Sequence, residues 1–376
     1  MSATFRNEID IKVRLAGGTI ADVSILPRSR PPLMRLFAGK PASSLLIVLP
    51  RMFSLCSVAY EVAFLSAVEA ARGEECHPKI RWRRVVALVA ERLTELTRGL
   101  FVGRLTLDGA SASAVRAVMH AAAVLGNFAL PSGGTVDYRE EQSRREAVSQ
   151  IKAALTELEI LGEDRLPAPG SVLAAQLASL DSDGLQSVVV EQSFLSVADD
   201  LEVVMRLLSD GASFSEAPDL GGRIPETGVW ARRALREPTL RQRAGPAERL
   251  KARIAEVARL FAWLQAGEDQ IEKDGLLEEG VIASYRLGAR KGAAAVECAR
   301  GRLYHVVELN DEDRIVRFEF LAPTEWNFHA HGPLVRSLLG SALAFGKQGR
   351  DAVQALVGSF DPCVGFGLSF HEGGHA

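Results

Sequence analysis

The chain begins with a regular alternation of apolar and polar residues. Every second position from Ile9 to Leu15 is apolar, Gly17 and Gly18 follow, and a second apolar series runs from Ile20 to Ile25. Side chains two residues apart lie on the same face of a strand. The pattern therefore predicts a β-hairpin with a glycine turn.

From about Ser57 the apolar spacing lengthens to the three or four residues of a helix. The first such stretch ends near Gly73, and further stretches cover about residues 82–96, 114–130 and 148–158. The clearest one covers about residues 246–266, between a proline that suits a helix start and a glycine that suits a helix end. These apolar stripes predict helices that face a common core.

The last hundred residues return to alternation. Residues 303–309 and 315–321 flank the polar turn at 310–313, which predicts a second hairpin. The whole pattern predicts an α+β fold, with a helical central bundle and small β regions at both termini. We expect one domain, 1–376, with an N-terminal β/helix part (1–130), a variable helical middle (131–280) and a C-terminal part (281–376).

Composition excludes several classes of protein. Of the 376 residues, 47 % are hydrophobic and 24 % are charged, which is typical of a globular chain rather than a disordered one. The formal net charge of −3 gives no basic surface for nucleic acid or anionic lipid. No apolar run approaches the ~18 residues of a membrane span, and the N-terminus lacks a signal-peptide pattern. We expect a cytoplasmic protein with reduced thiols.

The four cysteines are too few and too scattered for a disulfide framework, and none forms a C-x-x-C pair. An isolated cysteine is most often a small buried residue. That interpretation is expected for Cys76. It is also favoured for Cys298, with a thiol of a functional site as the alternative. Cys56 and Cys363 differ because of the segments around them.

Five segments carry a resemblance. Residues 50–60 read PRMFSLCSVAY and residues 359–367 read SFDPCVGFG. Residues 297–301 read ECARG, residues 322–327 read APTEWN, and residues 6–8 read RNE. In order and spacing they resemble the motifs R-x-C-x-x-C-x-x-x-H, D-P-C-x-x-C-x-x-H, E-A-P-R-G, V-P-S-T-W-N and R-I-E-G-H of nickel–iron hydrogenase large subunits. The resemblance covers about residues 1–100 and 280–370, and it implies the fold of those subunits.

Two departures change the implied chemistry. In that family four cysteines hold a nickel–iron centre, and here Phe53 and Phe366 stand at two of the four positions. The resemblance leaves Cys56 at a bridging position and Cys363 at a terminal nickel position. Phenylalanine has no lone pair, whereas soft thiolates are what hold such metals. We therefore expect no nickel. Histidines of the two cysteine motifs are also replaced, by Tyr60 and Ser369.

The motif positions around the iron match the family better than the nickel-ligand positions do. In the family the iron carries carbon monoxide and two cyanides, and an arginine and a hydroxyl donate hydrogen bonds to the cyanides. Arg300 and Thr324 match these donors, and Pro323 matches the residue that lines the same pocket. Charged donors suit a metal–cyanide group. Glu8 matches a glutamate that serves proton transfer, although a solvated carboxylate at a strand end explains it equally well.

This combination resembles the hydrogenase expression/formation proteins of the HupK/HoxV type. The resemblance implies a non-catalytic scaffold or metallochaperone that carries an Fe(CN)2CO unit on Cys56 and Cys363. The HypC and HypD proteins would donate this unit, and the apo large subunit would accept it. The sequence leaves open whether both cysteines bind iron at once, which surfaces meet the partners, and what the oligomeric state is.

Two other functions stay open. One is a divergent catalytic hydrogenase, and the other is a metal-free interaction protein, like the large-subunit relative in respiratory complex I. Two histidine pairs are further candidates for a metal site, namely His329 with His331 and His371 with His375. A surface loop and a loose tail explain these pairs more simply.

Overall fold

The computed structural model describes residues 6, 8–102, 105–127, 138–161, 167–180, 184–186, 192–240, 244–267 and 280–372. The helices are α1 Leu33–Phe37, α2 Ala42–Leu46, α3 Leu49–Met52, α4 Ser57–Arg72, α5 Pro78–Phe101, α6 Gly109–Asn127, α7 Tyr138–Glu157, α8 Val172–Leu180, α9 Asp200–Asp210, α10 Ala212–Glu216, α11 Val229–Arg236, α12 Pro246–Ala266, α13 Pro323–Asn327, α14 Pro333–Leu338 and α15 Gly346–Ser359. The strands are β1 Ile9–Ala16, β2 Thr19–Leu26, β3 Leu185–Gln186, β4 Ile282–Gly288, β5 Lys291–Cys298, β6 Gly301–Leu309, β7 Ile315–Leu321, β8 Ala342–Leu343 and β9 Phe366–Glu372. The predicted α+β class is confirmed.

The two ends of the chain share one sheet. Strands β1 and β2 form the predicted hairpin, with Gly17 and Gly18 at positive φ in the turn. Strand β9 then pairs in parallel with β1, in the sheet order β3-β8-β2-β1-β9. Strand β9 was not predicted, and the hairpin predicted near the C-terminus lies in the second sheet. Sequence patterns do not show the pairing of β9 with β1, because parallel pairing of distant strands has no local signature. The pairing brings Cys363, just before β9, to the N-terminal part of the chain.

The second sheet is an antiparallel meander of β4, β5, β6 and β7. Its last two strands are the predicted C-terminal hairpin. The first two were not predicted. Seven of the eight residues of β5 are buried, so the strand lacks the alternation that marks a half-exposed strand.

Helix α4 lies directly on β5, where the strand is made of small residues. A Cβ atom added at Gly292 would lie 2.3 Å from the carbonyl oxygen of Ala67 and 2.3 Å from the amide nitrogen of Ala71. Only glycine permits this approach. Because α4 begins directly after Cys56, the depth of the helix on the sheet also sets the position of that thiol.

The segment Ser54–Arg72 is the one described helix that is long and apolar enough to cross a membrane, by length and composition alone. In the structure 61 % of its most apolar window is buried. It packs on β5 and β6. Its apolar character is therefore accounted for by its place in the core.

The helical middle packs as successive neighbours. Helix α5 contacts α6 and α12, and α6 contacts α7. The apolar stripe predicted for α12 is buried, including Ile254, Val257 and Leu260. Helix α7, which covers the stretch predicted at about residues 148–158, ends at Glu157. The division at residues 130 and 280 stays a prediction.

Replacing Gly292 with alanine tests the packing of α4. The added methyl group would collide with backbone atoms of the helix, and overpacking of this kind costs about 1–3 kcal/mol. We expect Gly292→Ala to lower the free energy of unfolding by that amount, measured by urea denaturation. Gly126→Ala is the matched control, since nothing lies within 4 Å of its added Cβ in α6. The control should be neutral or stabilise by up to about 1 kcal/mol, and equal effects would contradict the packing.

Candidate functional site

Three thiols meet at one cavity of about 100 Å³. Cys56 ends a short 3-10 turn before α4, Cys298 ends β5, and Cys363 lies in the loop before β9. The structure thus brings together Cys56 and Cys363, which lie some 300 residues apart in the sequence. Their role as metal ligands stays a prediction.

Cys298 is in this group as well. It is 2 % exposed and packs in the main core, as the favoured interpretation predicts, and it also lines the cavity with Cys56. Its alternative role as a thiol of the site stays a prediction. Cys76 lies elsewhere, half-buried, with its sulfur 3.8 Å from the carbonyl oxygen of His77.

The buried guanidinium of Arg300 connects three segments at this site. Its Nη1 lies 3.6 Å from the sulfur of Cys56, and its Nη2 donates to Glu95 Oε2 at 3.0 Å. Its Nε lies 3.5 Å from Asp361 Oδ2. Burial opposes the charge, but Cys363, Asp361, Cys56 and Glu95 raise the pKa of Arg300. The group stays cationic and holds the parts of the site together.

The neighbouring thiols differ in acidity. Hydrogen bonds with Cys298 and Cys363, followed by burial, raise the pKa of Cys56 well above that of an ordinary thiol. A hydrogen bond with Cys56 lowers the pKa of Cys363 to about 7, and Arg300 and Thr324 also lower it while burial opposes them. Of Cys56 and Cys363, Cys363 is therefore the one that ionises first, and a thiolate is the form that binds metals.

Helix α4 is fixed at its start by a carboxylate from α5. Glu91 accepts hydrogen bonds from the amides of Val58 at 2.6 Å and Ala59 at 3.0 Å. Burial raises the pKa of Glu91 to about 8, although both amides favour its charged form. Such a partner satisfies the free N–H groups of a helix start. Glu91 thus positions Cys56, and neither it nor Glu95 was found by sequence analysis, because contacts between distant helices leave no local pattern.

The turn that carries Arg300 packs against a buried loop at Thr227. A Cβ atom at Gly301, where φ is +135°, would lie 2.4 Å from Oγ1 of Thr227. Asn327 holds that loop from the other side, accepting from the amide of Thr227 at 3.0 Å and donating to its carbonyl at 2.9 Å. The ECARG and APTEWN segments therefore contact the same loop, at Thr227, from opposite sides.

The remaining predicted site residues fall into two groups. Pro323 lines the cavity, whereas Arg300 and Thr324 contact the thiols without lining it. Glu8 is exposed beside Gly365, and the described residues that line the cavity do not include it. The structure gives Glu8 no contact with the thiols, and its role stays a prediction.

The two phenylalanines that stand at expected ligand positions lie in different parts of the structure. Phe53 lines the cavity and stacks on Tyr60, with ring centroids 3.7 Å apart and planes 7° apart. Phe366 begins β9 and packs into the core of the terminal sheet. Only Phe53 therefore takes the place of a ligand at the thiol cavity.

The histidine pairs form no larger cluster. The rings of His329 and His331 are 6.0 Å apart, and the amide of His331 donates to Nδ1 of His329. His371 contacts Ser369, while His375 lies outside the described residues, as does Asn7 of the N-terminal motif. Within the described ranges, neither these histidines nor the three thiols belong to a group of three or more His, Cys, Asp or Glu side chains arranged to hold a bare metal ion.

Comparison with known proteins gives relatives along the whole chain. Residues 242–368 match the nickel-dependent hydrogenase family. The hydrogenase expression/formation protein HupK of Bradyrhizobium diazoefficiens is 63 % identical over 100 % of both chains. HupK of Rhizobium leguminosarum bv. viciae is 32 % identical over 98 % of each. HoxV of Cupriavidus necator is 29 % identical over 91 % of this chain and 92 % of its own.

Solved structures of hydrogenases share the fold. The Ni-Fe-Se hydrogenase of D. vulgaris Hildenborough superposes with a TM-score of 0.57, covering 93 % of this chain and 94 % of its own at 14 % identity. An NAD+-reducing [NiFe]-hydrogenase superposes with a TM-score of 0.55, covering 92 % and 93 % at 16 % identity. The fold expected from the motif resemblance is therefore confirmed.

The acidity of Cys363 can be measured directly. Iodoacetamide should modify it at a rate that rises with pH through a midpoint of about 7, since only the thiolate reacts. Cys56 should resist, and the half-buried control Cys76, whose pKa burial raises, should react at higher pH. Peptide mass spectrometry measures each rate. A midpoint for Cys363 at or above that of Cys76 would contradict the proposed arrangement of charges.

Proposed function

The chain belongs to the hydrogenase expression/formation proteins, and we propose that it is a non-catalytic scaffold that carries an Fe(CN)2CO unit. Cys56 and Cys363 bind the iron, and the unit then passes to the apo large subunit of a nickel–iron hydrogenase. The observation that supports this proposal is the meeting of thiols with the buried cation of Arg300 at one cavity.

The donor set suits a unit that arrives with its own ligands. Carbon monoxide and two cyanides occupy three positions on the iron, so a small number of thiolates completes the coordination. Soft thiolates favour such a metal. A bare metal ion in a structural site commonly takes four protein ligands, which is more than two thiols supply.

Charge around the cavity favours a thiolate-bound unit. Two thiolates add negative charge, which the guanidinium of Arg300 offsets at Cys56. Arg28 also lines the cavity, and Thr324 hydrogen-bonds Cys363. Arg300 and Thr324 therefore adjoin whatever these sulfurs bind, where their N–H and O–H groups can donate to cyanide nitrogens.

The aromatic stack supports a function without nickel. Phe53 stands where the resemblance places a nickel ligand, and its ring is held by Tyr60. An apolar ring offers no lone pair and fills space at the cavity wall. The scaffold thus handles the iron unit and does not turn over hydrogen.

The family implies the partners and the compartment. We infer that HypC- and HypD-type proteins donate the iron unit and that the apo large subunit accepts it. Both exchanges take place in the cytoplasm, where thiols remain reduced. The half-buried Cys363 is the more accessible of the two proposed ligands.

Infrared spectroscopy tests the iron-carrying proposal. Protein purified without oxygen from cells with the maturation machinery should show bands for bound carbon monoxide and cyanide. Cys56→Ser and Cys363→Ser should each lose them, because a hydroxyl is a poor replacement for a soft ligand. Cys76→Ser, which lies away from the cavity, should retain them. Wild-type protein without bands, or both site variants with full bands, would refute the proposal.

Nickel analysis separates the scaffold from the catalytic alternative. Wild-type protein from nickel-supplied cells should contain nickel only at background level, whereas Phe53→Cys should retain more because it restores a thiol at the cavity. Phe53→Ala, which opens space without a ligand, is the control and should stay at background. Elemental analysis measures each value. Hydrogen-dependent dye reduction by wild-type protein would favour a divergent hydrogenase instead.

A further inference from the structure

We propose that Cys298 is the third thiol of the site and forms, with Cys56, an inner pair that binds the iron unit. This inference rests on the proposed iron-carrying function. It assigns a ligand that the motif resemblance does not supply, since the matching family position is an alanine.

The three thiols share one cavity but differ in exposure. All three line it, and Cys56 interacts with both Cys298 and Cys363. Cys363 is half-buried, while Cys56 is 5 % exposed and Cys298 is 2 % exposed. The cavity therefore has one accessible outer thiol, Cys363, and two buried inner thiols, Cys56 and Cys298.

The backbone at Cys298 is held by a buried arginine. Arg232 donates from Nη1 to the carbonyl of Cys298 at 3.3 Å and from Nη2 to the carbonyl of Ala299 at 3.2 Å. The same guanidinium pairs with Glu297 at 2.5 Å. These contacts fix the end of β5, and a fixed backbone positions the sulfur that it carries.

The turn after β5 points two groups at the same thiol. Cys298 pairs with Gly301 across a tight turn that contains Arg300. The turn presents the sulfur of Cys298 and the guanidinium of Arg300 to Cys56 together. The C-terminal motif keeps one thiol beside Cys56, that of Cys363, while its second position is Phe366 in the terminal sheet. Cys298 therefore supplies a second thiol neighbour of Cys56.

The chemistry is a ligand exchange without redox change. Cys363 and Cys56 first hold the iron as thiolates. The sulfur of Cys298 then forms a bond to iron while the bond from Cys363 breaks, and the proton of Cys298 passes to Cys363. The iron keeps its oxidation state, its carbon monoxide and its cyanides. Reversal of the exchange returns the unit to the accessible thiol for release.

The test compares serine variants of loaded protein. Cys298→Ser should keep carbon monoxide and cyanide bands at shifted frequencies, because the set of sulfur donors changes. It should also lose iron to a chelator several-fold faster than wild type. Cys76→Ser is the matched control and should equal wild type in both measurements. Unfolding midpoints and circular dichroism establish that each variant is folded.

A second measurement uses the unloaded protein and cadmium alone. Cadmium favours thiolates, so Cys298→Ser should bind it several-fold more weakly than Cys76→Ser in competition with a chelator. If Cys298→Ser shows wild-type frequencies, iron loss and cadmium affinity while Cys56→Ser and Cys363→Ser lose the bands, this inference fails and the proposed function stands. If wild-type protein shows no bands, both fail.

Discussion

The site depends on one buried charge, the guanidinium of Arg300. A cation taken out of water is stable only when opposite charges and acceptors surround it. Glu95 of α5 and Asp361 of the C-terminal loop supply them, and the sulfur of Cys56 completes the shell. These groups come from three distant parts of the sequence. Burial of Arg300 therefore requires that the N-terminal helices, the meander sheet and the last loop close on one another.

A second layer of buried charge supports the first. Arg232 bridges Glu256 of α12 and Glu297 of β5, and it also holds the backbone beside Arg300. Arg92 also pairs with Glu256. Removing one member of such a network leaves an uncompensated buried charge, which is costly. The positions of the thiols are thus fixed by this buried network of ion pairs rather than by loops at the surface.

The sequence predicts the parts of this fold that have a local signature. The hairpins, the long helices and the α+β class follow from periodicity, and the motif resemblance brings Cys56 and Cys363 together. It does not predict β5, whose buried small residues lack alternation, or the pairing of β9 with β1. It also misses the contacts of Glu95 with Arg300 and of Cys298 with Cys56, because both contacts arise only when distant segments meet. The features that the sequence does not predict are those determined by packing between distant segments, which leaves no local sequence pattern.

The proposed function is that of an iron carrier built on a hydrogenase fold. Loss of nickel ligands alone would leave an inert fold, but the thiols and their cation remain together. X-ray absorption at the iron edge of protein loaded in cells tests this most directly. We expect iron with sulfur ligands and short bonds to the carbon atoms of carbon monoxide and cyanide. Iron bound only through oxygen or nitrogen, or no iron at all, would contradict it.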